Sequence, residues 1–274
     1  DEPDAPVRTR REYCYNILVS GLDDDNGGSD TNILVRFDVP NKRIDLVSLP
    51  RDTLLHNEYR NNKLNFAYAK GGTELLMEQI ENLLGIPVDF YVTVNLKGFI
   101  ALVDQIDGVD FDIPINMDYD DPYQDLHIHF TKGPRHLNGQ EAMEVVRFRH
   151  NNDGTGYGTE DIGRIGTQQA FLKAVAKQLL QIGNVKNIPA LVDIFYTYVK
   201  TDLTTGNLVW LGNEALNIGT ENIHFATLPG DGSGYYNKQS VYVLDAQATC
   251  DLVNEALNPY NEALTLEDMD ILVP

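Results

Sequence analysis

The chain has 274 residues, 42% apolar and 23% charged, ordinary proportions for a globular protein of one large domain or two small ones. Its formal net charge of −20 opposes general nucleic-acid binding, which needs Lys and Arg to neutralise phosphates. No apolar run approaches the ~20 residues of a membrane helix, and the two cysteines, Cys14 and Cys250, lack the C-x-x-C spacing of a cysteine zinc site.

"CYNILVSGLD" reads as a β-rich run ending in glycine and acidic residues. "TNILVRFDVPNKRIDLVSLPRDT" reads as two antiparallel strands joined by a turn at Pro40–Asn41–Lys42. The apolar spacing of Leu75, Leu76, Ile80, Leu83 and Leu84 predicts a helix over 71–84, stopped by Gly85. "DFYVTVN" is a strand, "LKGFIALVDQI" a helix and "VDFDIP" a short strand ending at a proline. After a loop over 114–135, Asn138 followed by Glu141 is a capping pair for a helix running into "VVRFR". A second loop, 150–160, precedes a helix with Asp161 as N-cap and an apolar stripe of Ile165, Leu172, Val175 and Leu179. The rest alternates helix and strand to the end, which gives an α/β fold with a mixed sheet covered by helices.

Three clusters could carry chemistry. Asp23 and Asp30 flank "DDNGGS"; carboxylates after a strand either hold a hard cation such as Mg²⁺ or form a solvated acidic turn. "LPRDT" aims Arg51 from a strand end, beside Asp52 and ahead of Lys63 in "KLNFAY"; alone, Arg51–Asp52 is an ordinary surface pair. The third cluster is Arg147, Arg149 and Arg164, after which arginine is absent from the chain. Arg147 and Arg149 share a side if the helix from Asn138 has ended there, and Asp161, Arg164 and Gln168 fall on one helix face. The glycines of "GTGYG" do not follow a strand in a βαβ unit, so a flap is the better reading than a dinucleotide loop. His127 and His129 share a strand face; ordinary strand histidines are the simpler reading, a metal site the sharper one.

Taken in order, these pieces resemble the LytR–CpsA–Psr family of bacterial cell-envelope proteins. The resemblance rests on "NILVSGLD…SDTNILVRFD", "VSLPRDT", "KLNFAYAKGG", "FIALVDQIDGVDFDIP", "LNGQEAMEVVRFRH", "EDIGRIGTQQ", "TDLTTGNL" and "LPG", spread over nearly the whole chain. It implies a three-layer α/β/α sandwich with a mixed central sheet and a hydrophobic polyprenyl-binding tunnel. The tunnel is expected between the helices at 71–84, 96–106 and 163–182 and the sheet, opening at Arg147. It implies one extracytoplasmic domain over 1–274, with residues 1–12 as a linker from an N-terminal membrane anchor. The implied activity is Mg²⁺-assisted transfer of a glycopolymer (teichoic acid, capsule or secondary wall polysaccharide) from a polyprenyl-pyrophosphate carrier to peptidoglycan, with pyrophosphate hydrolysis as a side reaction. The alternative is a non-catalytic polyprenyl-pyrophosphate binding module or a regulatory protein of the cell envelope.

By the same resemblance, Asp23 and Asp30 match the family's Mg²⁺ aspartates. Arg51, Lys63, Arg147, Arg149 and Arg164 match its pyrophosphate-contacting cations, and Asp161 and Gln168 its polar helix residues. Asp161 would be a base or a group that orients an arginine. Two departures are clear: Gly28 stands where the family usually has an arginine before "SDT", and Thr167 where another often precedes the paired glutamines. An exported protein could join Cys14 to Cys250 in a disulfide; two buried thiols is the other reading.

Overall fold

The computed structural model describes residues 8–22, 27–123, 126–157, 160–181 and 188–274, with backbone alone at 160–162, 180–181, 188–191 and 194. In chain order the strands are β1 Cys14–Leu22, β2 Ser29–Asp38, β3 Arg43–Leu49, β4 Phe90–Val94, β5 Val109–Ile113, β6 Met117–Asp121, β7 Leu126–Phe130, β8 Gly133–Leu137, β9 Val199–Thr201, β10 Ile223–Thr227, β11 Gly230–Tyr236 and β12 Gln239–Leu244. The helices are α1 Leu64–Leu84, α2 Leu96–Gln105, α3 Gly139–Arg147, α4 Glu160–Gln181, α5 Ile188–Tyr198, α6 Thr205–Ile218 and α7 Ala246–Ala256. They fall into two compact units, one of Asp1–Thr93, Lys200–Asn207 and Glu221–Pro274, the other of Val94–Val199 and Leu208–Thr220.

The first unit is organised by a six-stranded sheet in the order β10-β3-β2-β1-β4-β9. β1, β2 and β3 pair antiparallel in succession, while β10 joins β3 in parallel, so the sheet is mixed. The expected hairpin is present, with Asp38 opposite Arg43 and the chain reversing over the residues between them. Alternation sends Leu18, Leu34 and Val47 into a core with Leu76, Ile80, Leu83 and Leu84 of α1 and Val253 and Ala256 of α7. Ile17 and Ile33 point the other way and are buried as well, which makes the sheet a middle layer.

α1 starts earlier than its apolar period predicts. Its first turns, from Leu64, are followed by non-helical backbone at Gly71 and Gly72, the latter with φ of 67°. The break lets one stretch turn onto the sheet after a separate turn has positioned its beginning. No helix among the described residues is long and apolar enough to cross a membrane.

The disulfide reading is corrected: Cys14 and Cys250 are both free and buried. Cys250, on α7, packs in the core, with Sγ 3.6 Å from the carbonyl oxygen of Leu264. Burial pushes both thiols above the ordinary cysteine range.

The second unit packs α2, α3 and α4 around two antiparallel pairs, β5 with β8 and β6 with β7. Phe171 of α4 is 1% exposed, with its ring 5.7 Å from that of Phe99 and 5.6 Å from that of Phe111. α3 begins with the expected capping box: Asn138 Oδ1 accepts from the Glu141 amide at 3.0 Å, and Glu141 Oε2 accepts from the Asn138 amide at 3.1 Å. The stretch read as a loop, 114–135, instead contains β6, β7 and the start of β8. α5 too was not anticipated, and α4 begins at Glu160, which puts Asp161 inside the helix rather than at its N-cap.

Candidate functional site

In the first unit, Asp30 owes its position to a β-bulge. Thr31 lies opposite Gly21 and Ser29 opposite Leu22, so Asp30 is the extra residue with no partner on β1. A bulge re-aims the side chain it carries. Arg51 follows the end of β3 and Pro50, in a turn closed by the Thr53 amide at 3.0 Å and the Thr53 hydroxyl at 2.6 Å, both donating to the Pro50 carbonyl. Lys63 occupies the N-cap position of α1; the following amide, Leu64, donates to the Thr53 carbonyl at 3.0 Å. That bond folds the 54–62 stretch back and delivers Lys63 to the Arg51 turn.

The result is a row of alternating charges. Arg51 Nη1 is 2.5 Å from Asp30 Oδ1, Arg51 Nε is 3.5 Å from Asp52 Oδ1, and Lys63 Nζ is 3.4 Å from Asp52 Oδ2. All four side chains are partly exposed, between 19% and 35%. Partial exposure keeps the pairs weak in themselves and open to exchange their partners for an anion. In the sequence Asp52 is only half of a surface pair; the structure makes it the group that spaces Arg51 from Lys63. Asp23 lies outside the described residues. Asp30 fits a Mg²⁺ ion, which takes hard oxygen donors and is commonly held by one or two carboxylates together with substrate phosphates.

In the second unit, α3 ends at Arg147 and the backbone turns extended at Phe148, with φ −59° and ψ 133°. Phe148 is fully buried, Arg147 is half-buried and Arg149 is exposed on either side of it. Tyr157 packs against Phe148, ring centroids 5.6 Å apart, and its hydroxyl lies 3.0 Å from that of Thr167 on α4. Burial raises the Tyr157 phenol above its ordinary value. Gly163 allows this approach, since a Cβ there would lie 2.2 Å from Tyr157 Cβ. Gln168 Nε2 donates to the Val146 carbonyl at a long 3.4 Å. These contacts set the backbone carrying Arg147 and Arg149 beside the α4 segment carrying Arg164 and Gln168, with Asp161 one turn before Arg164.

The loop read as a flap is, over 150–157, a closed turn. His150 bridges to Gly156, the Asn151 amide donates to Thr155 O at 2.7 Å, and Asp153 Oδ1 accepts from the Thr155 hydroxyl at 2.6 Å. Of the two departures, Thr167 is 5% exposed and donates to the Gly163 carbonyl at 3.1 Å, so it has become interior structure. Gly28 is different: a Cβ there would meet only Asn65 O at 3.6 Å.

This architecture is that of a known family. The LytR_cpsA_psr family model matches residues 4–258, and the chain belongs to that family. The Bacillus subtilis (strain 168) polyisoprenyl-teichoic acid–peptidoglycan teichoic acid transferase TagV is 32% identical over 86% of the chain and 61% of its own length. The regulatory protein MsrR of Staphylococcus aureus (strain COL) is 30% identical over 78% of the chain and 64% of its own length. The chain thus spans under two thirds of these two relatives. The crystal structure of B. subtilis TagV superposes with a TM-score of 0.76 at 27% identity, covering 96% of this chain and all of that one.

Proposed function

We propose that this chain is the catalytic part of an extracytoplasmic phosphotransferase that moves a glycopolymer from a polyprenyl-pyrophosphate carrier to peptidoglycan. The observation that carries the proposal is the row Asp30–Arg51–Asp52–Lys63, two carboxylates and two cations fixed at strand and helix ends. The naming of TagV as a teichoic acid transferase supports it. A hydroxyl of peptidoglycan would attack the sugar-linked phosphorus, its proton passing to a base, the role the resemblance allows Asp161, or to the departing phosphate. A new phosphorus–oxygen bond forms, the bridging pyrophosphate bond breaks, and polyprenyl phosphate leaves with the electron pair. Arg51 and Lys63 would hold phosphate oxygens as negative charge shifts to the leaving group, and by the family resemblance Arg147, Arg149 and Arg164 would each contact pyrophosphate as well; the planar guanidinium fork suits two oxygens at once. Mg²⁺ held by Asp30 and Asp23 would supply charge neutralisation at the pyrophosphate. An apolar slot opening at Arg147 would take the carrier chain, where burying ten methylenes contributes roughly 8 kcal/mol before ordering costs.

The test is turnover of a synthetic polyprenyl-pyrophosphate oligosaccharide, with and without EDTA. Arg51→Ala, Arg149→Ala and Arg164→Ala should each lose about 2–4 kcal/mol of transition-state stabilisation, about 30- to 1,000-fold in rate. Asp30→Ala should abolish both activity and its metal dependence. Activity that survives EDTA and the Arg164 change would place the chemistry elsewhere. A second reading, a binding or regulatory protein of the same lipid, is favoured by Gly28 and Thr167 in place of family arginines. It predicts saturable binding of the carrier without turnover.

A further inference from the structure

The β6–β7 hairpin presents a second constellation that shares no residue with the site above. Its inner face is apolar: Met117, Leu126, Ile128 and Phe130 are buried in the core of the second unit. Its outer face carries Asp118, Asp120, His127 and His129, all exposed. The register places Asp120 directly opposite His127 and Asp118 directly opposite His129. His127 Nδ1 lies 2.5 Å from Asp120 Oδ1, His129 Nε2 lies 3.3 Å from the same oxygen, and His129 Nδ1 lies 2.8 Å from Asp118 Oδ1.

We propose that Asp120, His127 and His129 bind a divalent transition-metal ion of the Zn²⁺ class, with Asp118 orienting His129. One ligand atom from each of the three residues lies within 4.8 Å of the others. Tetrahedral Zn²⁺ with bonds of about 2.0–2.1 Å places its ligands roughly 3.3–3.4 Å apart. The His129–Asp120 separation of 3.3 Å already matches, and small side-chain rotations at the exposed face close the rest. Asp118 engages Nδ1 of His129 and leaves Nε2 for the metal, the arrangement in which a carboxylate fixes a ligating imidazole. Two imidazoles and a carboxylate are a mixed nitrogen–oxygen set that favours Zn²⁺, Ni²⁺ or Cu²⁺ over Mg²⁺. Three protein ligands leave a fourth position for water or an exchangeable ligand.

A second observation concerns rigidity. The far edge of β6 is held by two asparagines from the turn after Arg149. Asn151 Oδ1 accepts from the Asp118 amide at 2.7 Å, and Asn152 Oδ1 accepts from the Asp120 amide at 2.6 Å. Asn152 Nδ2 donates to the Asp120 carbonyl at 3.0 Å, and the Asn152 amide to the Asp118 carbonyl at 3.1 Å. The backbone of both carboxylate residues is therefore fixed from two sides, by β7 and by this turn. A surface ion pair requires no such support, whereas a metal site gains affinity from it.

The test is calorimetric titration of the full chain, free of any histidine tag, with Zn²⁺ in buffer containing Mg²⁺. One Zn²⁺ per chain is expected, with a micromolar or lower Kd that Mg²⁺ does not shift. His127→Gln, His129→Gln and Asp120→Asn should each weaken binding by at least tenfold, and Asp118→Asn by about 10- to 100-fold. His136→Gln, which removes another strand histidine paired to Asp110, should leave the isotherm unchanged. Co²⁺ should give a visible absorption band in the wild type that the His127→Gln/His129→Gln double variant lacks. All the changed side chains are exposed, and circular dichroism checks that each variant folds. An unchanged Zn²⁺ isotherm in that double variant, or no saturable binding in the wild type, overturns the proposal.

Discussion

Asp45→Asn tests the interior of the sheet and the division of labour among the arginines. Arg36 and Asp45 are cross-strand partners, 4% and 2% exposed, with Arg36 Nη2 2.7 Å from Asp45 Oδ2. Arg43 Nε also donates to Asp45, at 2.8 Å, and this bond is the main reason its guanidinium is held more firmly protonated than usual. The asparagine keeps the shape and removes the charge. Arg43 is 32% exposed and stays solvated. Arg36 does not: a guanidinium cannot shed its proton, and its remaining contact, to Asn258 O at 3.4 Å, is long. An uncompensated buried charge costs about 3–5 kcal/mol. Arg36→Met should cost less, because Asp45 keeps Arg43. The Arg36→Met/Asp45→Leu double variant should recover most of the loss, since well-packed apolar replacements of a buried pair are often neutral. Urea unfolding followed by circular dichroism gives the midpoints at constant slope. An Asp45→Asn protein within about 1 kcal/mol of wild type would mean that Arg36 is not committed to the core. That commitment also explains why Arg36, some 20 Å along the strand from Asp30, cannot stand in for the arginine missing at Gly28.

Gly28→Arg should fold within about 0.5 kcal/mol of wild type, because its Cβ meets nothing closer than 3.6 Å, whereas Thr167→Arg should lose about 2–3 kcal/mol from overpacking a buried site. Thermal unfolding of the two variants checks the contrast, and equal losses would refute it. Mass spectrometry after alkylation without reductant should find two modified cysteines in denaturant and none in native protein; a denatured protein without modification would restore the disulfide. The Asp110 carboxylate beside His136 raises that imidazole's pKa. The pair's small stabilisation is therefore complete below the unfolded value of about 6.5 and is lost as pH rises through the higher folded value. Asp110→Asn should bring the His136 ring titration, followed by NMR, down toward that ordinary value; an unmoved titration would show that Asp110 is not the cause.

Short-range signals in the sequence were enough for the β2–β3 hairpin, the capping box at Asn138 and Glu141, and the amphipathic run of α1 after Gly72. Each depends on residues within a few positions of one another, where periodicity and hydrogen-bonding type act directly. The order of the motifs carried the family in the same way. Tertiary structure decided the rest. The bulge that leaves Asp30 unopposed is a matter of register between two strands, which no residue in β2 announces by itself. Asp52 becomes the spacer of Arg51 and Lys63 only because the Leu64 amide reaches back to Thr53. Cys250 Sγ is turned toward the Leu264 carbonyl, a partner fixed by how the chain after α7 returns. Asp118 and Asp120 meet His129 and His127 because β6 pairs with β7 in one register; a slip of one residue in either strand would turn that strand's two side chains to the other face, away from their partners. Local sequence sets what each segment prefers, while the site is made of distances between segments, and those are fixed only when the core closes.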